Sequence, residues 1–72
     1  MIAREAEPGS GVKGHDKPEH PSHDRHMEHF DAAMKDALSK WEGGEQTVTV
    51  AFEATVTPNP GGIKEYFVTL SP

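Results

Sequence analysis

The chain contains no cysteine. Neither a disulfide framework nor a thiolate metal site can therefore reinforce it, and those are the usual reinforcements of proteins this small. Nowhere do 18 or more apolar residues run together, so no membrane-spanning helix is expected, and the opening MIAREAEPGSG lacks the apolar stretch of a secretory leader. A cytoplasmic protein with no membrane partner is the resulting expectation. Cationic side chains are scarce: seven Lys and Arg stand against twelve Asp and Glu, a formal net charge of −5. Nucleic-acid binding needs a basic surface, so neither DNA nor RNA is an expected partner.

What is present is unevenly spread. Residues 1–22 carry Pro8, Pro18, Pro21, Gly9, Gly11 and Gly14 with no apolar period, which predicts a disordered His/Pro/Gly-rich arm. Sustained periodicity begins after Pro21. Ser22 has the side chain of an N-cap, and a helix is expected from about His23 to Glu42, ended by Gly43 and Gly44. At 100° per residue, Met34, Ala37, Leu38 and Trp41 fall within ~80° of Phe30 and Ala33 within ~60° on the other side, one apolar stripe. On the polar side, Asp31 to Lys35 and Asp36 to Lys40 have the favourable acid-first i,i+4 order.

After the glycines, TVTVAFEATVT alternates strictly, with Val48, Val50, Phe52, Ala54 and Val56 on one face. Pro58, Asn59, Pro60, Gly61 and Gly62 supply turn chemistry. A second strand, Ile63 to Leu70, then returns with Tyr66, Val68 and Leu70 toward the helix stripe. The expected fold class is α+β: one amphipathic helix followed by an antiparallel β-hairpin, α-β-β, with residues 23–72 as the folded module.

Such a module is small. A two-stranded hairpin is marginal in water, and one helix laid across it gives a core worth only ~3–5 kcal/mol. Ala51, Ile63 and Phe67 fall on the sheet face away from the helix, and both hairpin edges are unpaired templates for added strands. A homo-oligomer built by intermolecular sheet or helix packing, with Ala51, Ile63 and Phe67 at the interface, is the main structural expectation; a separate protein partner is the other.

All five histidines, His15, His20, His23, His26 and His29, lie within fifteen residues. On a helix that starts at His23, an i,i+3 pair of His23 and His26 with Asp24 is a candidate set for a divalent metal, since neutral imidazoles suit Zn²⁺, Ni²⁺ and Cu²⁺. The plainer reading is a solvated first helical turn, or imidazoles covering an interface and sensitive to pH. Trp41, with Tyr66 or Phe67, is a candidate stacking platform for a planar ligand; as a plain core anchor its indole N–H would reach a strand carbonyl. No Ser/His/acid set, HExxH or phosphate-binding loop is present, so no catalytic residue and no enzyme activity are expected.

The order helix, strand, strand in residues 23–70, with Trp41 near the helix-to-strand junction, resembles the dodecins, small flavin-binding oligomers. The resemblance implies a sheet-mediated assembly with a ligand site between subunits, and flavin as a candidate cofactor. The chain departs from that family in two places. GVKGHDKPEH supplies no evident counterpart of the strand that precedes the helix there, and Trp41 falls at the helix end instead of within the next strand.

Overall fold

A computed structural model describes residues 11–59 and 61–72. The elements are β1 (Val12–Asp16), α1 (His26–Ser39), β2 (Thr49–Val56) and β3 (Ile63–Ser71). The three strands form one antiparallel sheet in the order β1-β3-β2. The class is α+β, as expected, but the order is β-α-β-β and the sheet has three strands, so β3 is central.

The unexpected strand lies inside GVKGHDKPEH. Of the arm predicted over residues 1–22, residues 1–10 lie outside the described residues, while Val12–Asp16 pair with Leu70–Tyr66 and Ser22 exchanges two backbone hydrogen bonds with Ile63, at 2.8 and 2.9 Å. β1 reads poorly because VKGHD has one apolar residue, Val12, and a glycine at its centre. That glycine is what the fold uses. Gly14 is buried, and a Cβ there would run into the backbone of Ala33 and Ala37. The helix therefore packs its backbone against β1, and no side chain on the strand is needed to mark the contact.

The helix is shorter than the 23–42 expected. Ser22 does not cap it: its backbone is engaged with Ile63 and its hydroxyl donates to the Asp24 carbonyl. Arg25 takes the N-cap position instead, at φ 58°, with no side-chain cap bond. A left-handed conformation costs a non-glycine residue ~1–2 kcal/mol, a cost set against the Ser22–Ile63 bridge and the contacts that follow it. At the other end, Lys40 and Trp41 N–H groups donate to the Ala37 and Leu38 carbonyls, a tightened last turn that closes before the glycine pair.

The buried core is Ala33, Ala37, Tyr66, Val68 and Leu70, with Val12, Phe30, Met34, Trp41, Val48 and Ile63 packed partly against it. On the helical wheel its centre is rolled ~40–60° from Phe30 toward the β1 side. Leu38 and Met27, on the opposite flank, remain 54% and 81% exposed. The helix thus sits over β1 and β3 and leaves β2 bare. Val50, Phe52 and Val56 face the helix side of the sheet, yet they are 37%, 56% and 66% exposed. The half-buried character expected of this strand is corrected for the same reason: a third strand draws the helix to the far side.

An irregularity between Thr55 and Val56 sets Val56 opposite Ile63 and Thr55 opposite Glu65, so that Lys64 is an extra residue in β3. The bulge turns Ile63 toward the core side, which separates it from Ala51 and Phe67. In the β2–β3 connection, Gly61 and Gly62 take φ of 101° and 109°, and the Gly62 carbonyl accepts from Thr57 N–H at 3.0 Å.

Candidate functional site

Two places gather chemistry: the imidazole cluster around the start of α1, and the uncovered side of the sheet between α1 and β2.

Three of the five histidines reach the sheet, each to a different partner. His29 Nδ1 lies 2.8 Å from Asp16 Oδ2, and its ring stacks on Tyr66 with centroids 4.8 Å apart. A carboxylate only accepts, so His29 Nδ1 is the donor in this bond. His26 Nδ1 lies 2.7 Å from the Tyr66 hydroxyl, which gives the polar end of that fully buried side chain its partner. His15, on the other face of the sheet, meets Glu65 Oε2 at 3.1 Å and stacks over Phe67. These contacts clamp β1, α1 and β3 together. The half-buried bonds of His26 and His29 each contribute ~1 kcal/mol, whereas the exposed His15 pair contributes little.

His20 and His23 stay exposed. With Pro18, Asp24, Arg25 and His29 they line a depression of about 520 Å³ that is wide open to solvent. The metal set proposed from spacing, His23 with His26 and Asp24, needed His23 and His26 on one helical face. The helix starts at His26, after the left-handed Arg25, and His26 is held by Tyr66. Among the described residues, no group of three or more His, Cys, Asp or Glu is arranged to hold a metal ion.

The stacking candidates are spread over three surroundings. Tyr66 is fully buried beneath the helix. Phe67, next to it on β3, points to the other face, where the Lys13 ammonium lies 4.5 Å from its ring centroid. Trp41 packs at the edge of the core, and its indole N–H donates to the Gly44 carbonyl at 3.3 Å, a loop acceptor and not a strand one.

An aromatic row that the linear sequence does not display runs between the helix and the sheet, from Tyr66 of β3 to Phe52 of β2. His29 stacks on Tyr66; Phe30 meets Tyr66 edge-on at 4.9 Å and Phe52 edge-on at 5.3 Å. The row begins covered and ends at the exposed Phe52. There, Met27, Phe30, Asp31, Met34 and Phe52 line a cleft of about 150 Å³. Ala51 and Glu53 lie exposed on the opposite face of the same strand. Glu53 stands across from Phe67 and Glu65 across from Thr55, so the two carboxylates are not paired with each other.

One carboxyl is electrostatically set apart. Asp36 accepts from the His15 backbone N–H at 2.9 Å and pairs with Lys40 at 3.2 Å, and these contacts, the first more than the second, hold it below the usual carboxylate range. Lys40 Nζ also donates to the Lys13 carbonyl at 3.2 Å. Helix side chains therefore occupy main-chain groups on the outer edge of β1.

No helix among the described residues is long and apolar enough to cross a membrane. No protein-family model matches the chain, and neither a curated protein nor a solved structure matches it.

Proposed function

We propose that the chain is a cytoplasmic, non-enzymatic interaction module that works as a homo-oligomer. The observation that carries this reading is the bare apolar flank: Phe52, Val56, Met27 and Leu38 are more than half exposed along one side of a core that has five buried apolar residues among the described ones. Water-exposed side chains of this size along one flank mark an association surface. The His15, His26 and His29 contacts support a structural role for the cluster, because each imidazole is engaged with the sheet. Sedimentation velocity of the full chain over micromolar concentrations tests the reading. Association that strengthens with concentration supports it; a single monomeric species throughout overturns it.

A second reading is a small-ligand carrier with its site at a subunit interface. The cleft beside Phe52 favours it, being apolar apart from Asp31 and open along the flank where subunits would meet. β1 also supplies the strand before the helix that the dodecin resemblance implies. Trp41, Tyr66 and Phe67 would then act with residues of another subunit, and flavin or a divalent metal is the cargo to look for. Absorbance and metal analysis of protein purified from its native host separate the readings, since a carrier arrives with colour or metal.

A further inference from the structure

We propose that the partner is a second copy of this chain, added antiparallel to the outer edge of β2 and centred on Phe52, so that two three-stranded sheets become one of six strands. The inference rests on the homo-oligomer reading and specifies its interface.

The polarity of the edge follows from bonds at the far side of the sheet. In an antiparallel sheet the N–H and C=O of one residue point the same way, and the direction alternates along the strand. His15 N–H and the Lys13 carbonyl are turned outward, to Asp36 and Lys40. The β3 residues opposite them, Phe67 and Thr69, therefore turn their groups toward Glu53 and Ala51 of β2. Val50, Phe52 and Ala54 therefore turn their N–H and C=O groups outward, where no strand among the described residues pairs with them.

The two edges of the sheet are treated differently. β1 has five residues, a glycine at its centre, charges at Lys13 and Asp16, and helix side chains bonded to its outer groups. β2 has eight residues, one charge, at Glu53, and no proline. Among the described residues no side chain bonds to its outward groups. A long edge with so little charge is a template for another strand.

Register follows from the pattern. Keeping the apolar face continuous requires even-numbered residues to face even-numbered ones. Centring on Glu53 would set that carboxylate directly opposite its own copy, which is destabilising. Centring on Ala51 would leave the last three residues of the strand without partners. Centring on Phe52 pairs Thr49 through Thr55, sets Phe52 opposite the partner's Phe52 and Val50 opposite the partner's Ala54, and exchanges about six main-chain hydrogen bonds. Ala51 then faces the partner's Glu53. The paired edge is ~24 Å long and ~10 Å thick, a section of roughly 240 Å² per copy. That lies below the area of standard stable interfaces, so a weak dimer in exchange with the monomer is expected.

The absence of cysteine makes the register directly testable. Ala51 and Glu53 are exposed and on the outer face, so Ala51→Cys and Glu53→Cys leave the fold intact. In the proposed dimer, residue 51 and the partner's residue 53 have Cα atoms ~4.5 Å apart, whereas 51 and the partner's 51 are diagonal neighbours at ~7–8 Å, beyond disulfide reach. An equal mixture of the two variants, oxidised mildly at a concentration where sedimentation shows association, should form the covalent heterodimer at least ~10-fold faster than Ala51→Cys alone forms its homodimer. Val50→Pro removes an outward N–H at a position where an edge strand tolerates proline, and should weaken the dimer by ~10-fold or more while the monomer's circular dichroism is kept. Association with no preference for the mixed disulfide, or association that Val50→Pro leaves unchanged, overturns the register and edge assignment while leaving the homo-oligomer reading standing. A chain that stays monomeric at all these concentrations overturns both.

Discussion

The two edge strands of this sheet solve opposite problems. β1 is short, polar and nearly featureless as a sequence, yet it is the better protected: the helix backbone rests on Gly14, Asp16 holds His29, and Asp36 and Lys40 reach round to its outer His15 N–H and Lys13 carbonyl. β2 is long, alternating and apolar, the strand most legible in the sequence, and it is the one left uncovered. One helix covers about two strands, since helices are ~10 Å across and strands ~4.8 Å apart. Here the helix lies over Gly14, where the missing side chain lets its backbone approach the strand closely. Hydrophobicity of a strand and its burial are thus separable quantities, and their difference marks where the next layer belongs.

That contrast can be broken from either side. The largest effect is expected at the covered end of the aromatic row. Tyr66→Ala removes a fully buried ring with its hydrogen bond to His26; a loss of ~3–5 kcal/mol is comparable to the whole stability of a core this size, so the variant should be largely unfolded by circular dichroism at 25 °C. A cooperative melt within a few degrees of the parent would show that the row is not what holds the sheet to the helix. Gly14→Ala comes next. Adding one methyl forces the helix off β1, which should cost ~1–3 kcal/mol and lower the thermal midpoint by ~10 °C, whereas an ordinary strand glycine would gain from the same change. Phe52→Ala, at the bare end of the row, should cost the dilute chain only ~1 kcal/mol, since more than half of the ring is already in water. Its larger consequence is on association, read as loss of the concentration dependence of sedimentation.

The smallest effect concerns the cover on β1. The Asp36 carboxyl sits below its ordinary range because His15 N–H and Lys40 favour the ionised form. A depressed folded value contributes stability that is complete above the unfolded value of ~3.9 and disappears as pH falls through the lower folded value. Asp36→Asn should therefore lower the thermal midpoint slightly near neutral pH, and the gap from the parent should close progressively below about pH 4. A gap that persists unchanged at pH 2 to 3 would assign the effect to packing instead of charge.

Much of the fold was legible along the chain, and the failures have identifiable causes. The amphipathic stripe located α1, and strict alternation located β2 and the inward set Tyr66, Val68 and Leu70. β1 escaped because the fold uses Gly14 for what it lacks, and an apolar pattern cannot register an absent side chain. The N-terminus of α1 was misplaced because Ser22 was spent on a backbone bridge to Ile63, forty-one positions away. The roles of His26 and His29 were hidden for a related reason: their partners, Tyr66 and Asp16, become neighbours only once β1 and β3 lie side by side. Of the five clustered histidines, three find partners on the sheet, contacts that spacing along the chain does not display.

The sequence by itself determined the helix and the two later strands, the inward faces of β2 and β3 and the net negative charge, because these depend on local periodicity and composition. Which strand the helix covers was decided only in three dimensions. Close packing depends on the steric fit of groups distant in the chain, here Gly14 against Ala33 and Ala37, and that fit is what leaves Phe52 and the open edge of β2 facing water.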